Sequence, residues 1–147
     1  MQNLRKVVII GPESTGKSSL CKLLAEHYNT EWCPEFARDY LLYHGKNYSY
    51  DDLETIAKGQ IELEEKVALI VQGAPQNLAD NQTAKKLLFV DTDMYVMKVW
   101  SEYVFGNCPT FILDEINKQQ FDLYLLCKPD IPWVKDELRE YPDEKPR

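Results

Sequence analysis

The chain has 147 residues, of which 44% are hydrophobic and 28% are charged, and its net charge is −7. This length suits one globular domain with a buried core, and the negative charge disfavours sequence-independent binding to nucleic acid. No apolar run approaches the roughly 20 residues of a membrane span. The N-terminus runs straight into a predicted strand without a signal peptide, and four cysteines without a metal spacing favour reduced thiols in a cytoplasmic protein.

The first predicted elements alternate between strand and helix. Lys6 to Ile10 is a β-branched apolar run without alternation, which is typical of a strand buried on both faces of a parallel sheet. The helix predicted after it has leucines on one face: Leu20, Leu23 and Leu24. Thr30 to Cys33 is predicted as a short second strand. Pro34 is placed to open a helix that Gly45 ends.

The longest predicted helix begins after Ser49, which can cap it, with Asp51 and Asp52 in its first turn. Its apolar positions follow helical spacing: Leu53, Ile56, Ala57, Val67, Ala68 and Val71. Gly73 to Lys86 is rich in turn-forming residues and is predicted as a loop.

The second half continues the alternation. Leu87 to Asp91 is a clear strand, and a helix from about Met94 to Phe105 is closed by Gly106. Another helix is predicted to start at Pro109, and Phe121 to Cys127 forms the next strand. Strands that alternate with helices predict an α/β domain of three layers with a mostly parallel sheet.

Residues 11–18 match the phosphate-loop pattern G-x-x-x-x-G-K-[ST] at every fixed position, between a buried strand and a helix. Such a loop points its N–H groups at the β-phosphate, while Lys17 bridges the β- and γ-phosphates and Ser18 ligates Mg²⁺. The alternative is a glycine-rich turn that matches by accident, which the flanking strand and helix disfavour. We therefore predict that this loop binds a nucleoside triphosphate with Mg²⁺. The predicted nucleotide contacts are Gly11, Glu13, Ser14, Thr15, Gly16, Lys17, Ser18 and Ser19.

Carboxylates follow two of the predicted strands. Asp91 and Asp93 stand at the carboxyl end of a strand, the side on which parallel sheets bind ligands. We predict a magnesium role for Asp91 and a substrate role for Asp93, with helix capping by Asp93 as the alternative. Glu35 and Arg38 follow the short strand and could bind a hydroxyl and a phosphate together. An ordinary surface ion pair is the alternative for these two residues.

The last segment, residues 128–147, is charged and interrupted by prolines. It is either a solvated tail or a mobile lid whose arginines meet charge on the transferring phosphoryl group. The residues of interest are Trp133, Arg139 and Arg147, with Arg139 as the predicted catalytic arginine.

Together these motifs resemble the ribosylnicotinamide kinase domain of the NadR proteins, a branch of the P-loop kinases. The resemblance spans almost the whole chain and is carried by GPESTGKSSL, PEFARDYL, LLFVDTDMYVMKVWSEY and FDLYLLCKPDIPWVKDELR. It implies one kinase domain over residues 1–147 that transfers the γ-phosphate of ATP to the 5′-hydroxyl of nicotinamide riboside for NAD synthesis. It also implies that the acceptor and metal side of the site is lined by Glu35, Arg38, Asp91 and Asp93. The lid would contain Arg139 and Arg147.

Two departures from this family matter. Its members tend to place an aromatic residue just before the glutamate, where this chain has Pro34. Trp32 stands two positions earlier along a strand and could point to the same face of the sheet as Pro34. Related kinases continue beyond the lid with a helix, a last strand and an adenine-side loop, so a truncated C-terminus is expected at Arg147. The H-x-G-H signature of the adenylyltransferase domain found in some NadR proteins is absent from this sequence.

Three other functions compete with this interpretation. A GTPase switch would carry [NT]-K-x-D and D-x-x-G motifs, and residues 117–120 fail the first at its last position. An ATP-hydrolysing regulatory module would need no small acceptor, and a kinase could act on another nucleoside. The favoured partner is a small-molecule nucleoside, with Glu35 as the base or hydroxyl-positioning group beside Lys17.

Overall fold

The computed structural model describes residues 4–75 and 86–132, and within these ranges the chain forms four strands and five helices. The elements in chain order are β1 (Leu4–Ile10), α1 (Lys17–His27), β2 (Trp32–Cys33), α2 (Phe36–His44), α3 (Tyr50–Gly73), β3 (Lys86–Asp91), α4 (Met94–Phe105), α5 (Thr110–Lys118) and β4 (Leu123–Leu126). Residues 76–85 of the predicted loop lie outside the described residues, as do Trp133, Arg139 and Arg147.

The strands form one sheet in the order β2-β3-β1-β4, and all pairings in the described part of the chain are parallel. Val8 of β1 lies in register with Val90 on one side and with Tyr124 on the other. The carboxyl ends of all four strands therefore meet at one edge of the sheet. The phosphate-loop segment, the Glu35 segment and Asp91 all follow strands that end there.

Helices cover both faces of this sheet. Alternate residues of β1 point to opposite faces because side chains of a strand alternate. One face packs against α1 in a cluster that contains Val7, Ile9, Cys21, Ala25 and Phe89. The opposite face packs against α3 in a cluster that contains Val8, Cys33, Ala68, Val71, Leu88 and Val90. The predicted three-layer α/β architecture is confirmed.

A third cluster contains no residue of the sheet and joins four helices. It consists of Ala37, Leu53, Ile56, Ala57, Met94, Met97, Cys108 and Ile112. These residues come from α2, α3 and α4, from α5 and from the turn before it. The cluster thus holds α2 and α4 against the N-terminal half of α3.

Local signals fixed several helix ends as predicted. Ser49 caps α3 in a capping box, in which the Asp52 carboxylate accepts a hydrogen bond from the Ser49 N–H at 2.7 Å. Helix α4 has the predicted bounds, and Gly106 closes it in a left-handed conformation with φ of 70°. The helix expected to open at Pro34 begins two residues later at Phe36, because Glu35 keeps an extended backbone.

The three leucines predicted on one face of α1 are not equally covered. Leu23 is 62% exposed, whereas Cys21 and Ala25 are the buried residues of α1. Leu20 and Leu24 pack against the same cluster, as expected.

The cysteines fit their expected role as reduced core residues. All four lie in the described part of the chain and are free; three are buried and Cys127 is half-buried. Among the described residues, no helix combines the length and the apolar composition that crossing a membrane requires.

Candidate active site

A cavity of about 540 Å³ opens at the carboxyl edge of the sheet. Its wall includes the predicted nucleotide contacts of the phosphate loop together with Glu35 and Arg38 from the start of α2. Residues from α4 form a further wall. Asp91 and Asp93, which are both described, lie outside the residues that line the cavity. The structure thus brings the loop and the Glu35 segment together around one space.

The backbone of the phosphate loop depends on two glycines. Gly11 has φ of 143°, and a Cβ atom there would lie 2.6 Å from the carbonyl oxygen of Cys127, so the position requires glycine. Gly16 has φ of 83° and directly precedes α1, whose N-terminus receives no side-chain cap among the described residues. The first N–H groups of α1 have no intrahelical partner, and they form the positive end of the helix dipole. This end of α1 suits an anionic ligand.

Lys17 lies across the loop. Its Nζ donates a hydrogen bond to the carbonyl oxygen of Pro12 at 2.8 Å, and Thr15 Oγ1 donates to the same oxygen at 2.8 Å. The ammonium group is therefore held at the loop by a neutral carbonyl. A phosphate oxygen would be a stronger acceptor for it, because the phosphate carries negative charge and the contact would join two opposite charges.

Ser18 and Asp91 form the next contact. The Ser18 hydroxyl donates to Asp91 Oδ2, while Asp91 Oδ1 is buried without a hydrogen-bond partner among the described residues. Asp91 is 0% exposed. Burial raises the pKa of this carboxyl, whereas the hydrogen bond from Ser18 and the charge of Lys17 lower it.

This pair fits a magnesium ion. A buried carboxylate oxygen without a partner is a place where a bound water or an ion completes the hydrogen bonding. No group of three or more potential metal-binding His, Cys, Asp or Glu side chains occurs in residues 4–75 and 86–132. Ser18 and Asp91 would therefore share the ion with waters and ligand oxygens, which is how proteins commonly bind Mg²⁺.

Glu35 occupies the N-cap position of α2, but its side chain makes no capping hydrogen bond. It is half-buried and lines the cavity. Burial raises the pKa of Glu35 to about 7, the charge of Asp91 adds to this rise, and Lys17 and Arg38 oppose it. A carboxyl group with a pKa near neutrality can accept a proton from a substrate and release it again.

Asp93 caps α4. Its Oδ1 accepts a hydrogen bond from the Val96 N–H at 3.1 Å, and its Oδ2 accepts one from Gln119 Nε2 at 3.0 Å. The side chain is buried, and burial raises the pKa of Asp93. The capping alternative is thus realised, whereas the substrate role of Asp93 stays a prediction.

Sequence reasoning missed the aromatic wall that α4 contributes. Tyr95, Val99 and Tyr103 lie at helical spacing and line the cavity with Trp100. The recurrence of large apolar residues four positions apart was visible in the sequence and could have revealed it. Trp32, by contrast, packs in the cluster under α1 and does not line the cavity, although it is a described residue. Trp32 therefore adds no aromatic side chain to the wall of this cavity.

The turn after β3 holds an unusual residue that the sequence does not reveal. Thr92 has φ of 82°, which is unfavourable for a β-branched residue, and its buried Oγ1 has no hydrogen-bond partner among the described residues. The Thr92 N–H donates to the carbonyl oxygen of Ile9 at 3.0 Å. This bond ties the turn between Asp91 and Asp93 to the end of β1.

Three comparisons relate the chain to known proteins. A family model for an AAA domain matches residues 6–147. The trifunctional NAD biosynthesis/regulator protein NadR of Escherichia coli strain K12 and that of Salmonella typhimurium strain LT2 are each 32% identical to this chain over 140 residues. Each alignment covers 92% of this chain and 31% of the relative, so the chain spans about a third of the length of these curated relatives.

Solved structures show the same fold. A NadR protein in complex with NR has a TM-score of 0.65 at 22% identity, covering 89% of this chain and 34% of that one. A NadR protein with NAD and AMP-PNP has a TM-score of 0.66 at 22% identity, with 95% and 38% covered. Thymidylate kinase from Ehrlichia chaffeensis has a TM-score of 0.53 at 15% identity, with 84% and 71% covered. This chain belongs to the AAA domain family, and it is similar over most of its length to the NadR proteins.

Proposed function

We propose that this chain is an ATP-dependent kinase that phosphorylates the 5′-hydroxyl of a nucleoside, with nicotinamide riboside as the first candidate. The observation that carries the proposal is that the phosphate loop and Glu35, a carboxyl with a pKa of about 7, line one cavity. The curated relatives are named for NAD biosynthesis, and NadR structures were solved with NR and with AMP-PNP. We propose that residues 1–147 act as one kinase domain, and its cytoplasmic location stays a prediction.

The phosphate loop would bind the triphosphate. In this proposal Lys17 leaves the Pro12 carbonyl and donates to the β- and γ-phosphates, while loop N–H groups hold the β-phosphate. Ser18 and Asp91 would hold magnesium, which when bound neutralises charge on the phosphate oxygens. The remaining predicted contacts, Gly11, Glu13, Ser14, Thr15, Gly16 and Ser19, shape the loop around the nucleotide.

Glu35 would act on the acceptor. The nucleoside oxygen forms a bond to the γ-phosphorus, the bond from that phosphorus to the bridging oxygen breaks, and ADP leaves. Glu35 accepts the proton that the hydroxyl loses. The aromatic wall of Tyr95, Trp100 and Tyr103 gives a flat apolar surface for the base of the nucleoside. Arg38, which lines the same cavity, supplies positive charge on the acceptor side.

Two further roles complete the proposal. Asp93 would bind a ribose hydroxyl, for which one of its hydrogen bonds to Val96 or Gln119 would have to be shared. Arg139, outside the described residues, would stabilise charge on the transferring phosphoryl group.

A nucleoside panel tests this function. The purified chain is incubated with ATP, Mg²⁺ and one nucleoside at a time, and phosphorylated products are identified by mass spectrometry. We expect nicotinamide riboside to give a monophosphate faster than other nucleosides do. ATP consumption that no nucleoside stimulates would instead indicate an ATPase or regulatory module, and preference for another nucleoside would change the substrate but not the reaction.

The proposed role of Asp91 in binding magnesium can be tested separately from nucleotide binding. We expect Asp91→Asn to raise the Mg²⁺ concentration for half-maximal rate by about tenfold, as loss of an outer metal partner does. Because burial raises the pKa of Asp91, folding disfavours its charged form, so the ligand-free variant should be no less stable than the wild type. Asp114→Asn, at an exposed position of α5, is the matched control. An unchanged Mg²⁺ dependence would remove Asp91 from the metal site.

A further inference from the structure

Glu35 sits in a short connection whose backbone is held by a residue from another helix. Gln60 of α3 is 2% exposed, and its Oε1 accepts a hydrogen bond from the Phe36 N–H at 2.8 Å. Its Nε2 donates at 3.5 Å to the carbonyl oxygen of Pro34 and, also at 3.5 Å, lies against Cys33 Sγ. One side-chain amide therefore binds the backbone on both sides of Glu35.

The preceding residue of α3 makes a second contact with the same connection. A Cβ atom at Gly59 would lie 2.2 Å from the ring of Phe36, too close for any side chain. The Phe36 ring thus packs directly on the bare backbone of α3. Gly59 and Gln60 together form a seat for the start of α2, which we call the α2 seat.

Neither residue of the α2 seat is favourable for α3 alone. Glycine within a helix is destabilising relative to alanine, and a buried amide costs free energy unless it is hydrogen-bonded. An apolar side chain would serve packing equally well at the position of Gln60, since its neighbours Ile56 and Ala57 belong to a hydrophobic cluster. The two residues make structural sense through the contacts that they give to the start of α2.

We propose that Gln60 is a positioning residue for the reaction: by fixing Pro34 and Phe36 it holds the Glu35 carboxylate in the cavity beside the phosphate loop. The proposal rests on the proposed kinase function. With the backbone fixed on both sides, Glu35 keeps only its own side-chain rotations. The charged groups that act on its carboxyl are Lys17 of α1, Arg38 of α2 and Asp91 of β3. A small displacement of a reacting group can cost a large factor in rate, so the seat affects turnover without touching substrate.

The kinetic test compares two variants of α3. Gln60→Met removes both hydrogen bonds at similar volume, whereas Val71→Ala weakens the core at the far end of the same helix. We expect Gln60→Met to lower kcat by about tenfold or more and to leave the KM for ATP within about twofold. Val71→Ala should keep the wild-type kcat, even if its melting temperature falls by as much as that of Gln60→Met. A folded Gln60→Met variant with wild-type kcat, or an equal loss of kcat in Val71→Ala, would overturn the proposal.

A second measurement needs no kinase activity. Carboxyl-carbon NMR follows the titration of Glu35 in the wild type and both variants. Loosening of the connection should expose the carboxyl to water, so in Gln60→Met its pKa should fall towards the ordinary value of a glutamate, while in Val71→Ala it should not move. An identical titration in all three proteins would contradict positioning by Gln60. If the wild type phosphorylates no nucleoside, the proposed function fails, and this titration alone decides about Gln60.

Discussion

Lys17→Ala should abolish most phosphoryl transfer while the protein stays folded. The Lys17 ammonium donates to one loop carbonyl at 2.8 Å, and its loss should cost about 1.5 kcal/mol of folding free energy, the low end for a hydrogen bond that involves a charged group. In the transition state the same group would contact the γ-phosphate. Removing that charge-assisted contact should cost on the order of 3 kcal/mol or more, which is a loss of roughly 10²-fold in kcat/KM.

Initial rates over a range of ATP concentrations, up to saturation, give kcat and kcat/KM, and a thermal melt of each protein checks the fold. Lys22→Ala is the matched control, because Lys22 is an exposed residue of the same helix. We expect the control to match the wild type in rate and melting temperature. If folded Lys17→Ala turned over near the wild-type rate at saturating ATP, the loop would not be the catalytic site.

The phosphate loop could be predicted from sequence because its determinants are local. Its glycines, its lysine and the buried strand before it are contiguous, and the left-handed conformations of Gly11 and Gly16 follow from the residue type. The same holds for the Ser49 cap and for Gly106, whose partners lie within one helical turn. Such features depend little on how the rest of the chain packs.

Features that depend on distant partners were missed. The two-residue strand β2 is too short for its alternation to show which face Trp32 occupies, and that face was decided by the packing of α1. Leu23 fits the helical pattern of α1, but the face of this helix that is buried against the sheet is narrower than that pattern and is centred on Cys21 and Ala25. From its residue type alone, Gln60 would be placed on the exposed surface of a helix. Only the approach of Phe36 and Pro34 in the fold shows why it is buried.

Asp93 shows how one signal can support two roles. Its position before α4 predicts a cap, and its position after β3 predicts a ligand-side carboxylate. The structure realises the cap through Val96 and adds Gln119 as a second donor. Because both oxygens already accept hydrogen bonds inside the protein, Glu35 is the better placed of the two carboxylates to accept a proton from substrate.

Glu35→Gln should lower kcat by roughly 10²-fold with ATP affinity unchanged, as loss of a general base does. Since the pKa of Glu35 is about 7, the wild-type rate should rise with pH through that region, where the carboxyl loses its proton. The variant should lose this rise. Asp93→Asn should instead raise the KM for the nucleoside, and because asparagine caps helices about as well as aspartate, the cap of α4 should remain in place.

A stability measurement separates the chemical effect of Glu35→Gln from damage to the fold. Because folding raises the pKa of Glu35 from the ordinary 4.5 to about 7, the stability that this group contributes is complete below pH 4.5 and is lost as pH rises through 7. Above that pH, Glu35→Gln should therefore be at least as stable as the wild type despite its slow turnover. Glu31→Gln, at an exposed position just before β2, serves as the control and should change neither property. The reverse kinetic pattern, with kcat lost in Asp93→Asn and KM raised in Glu35→Gln, would assign the base to Asp93.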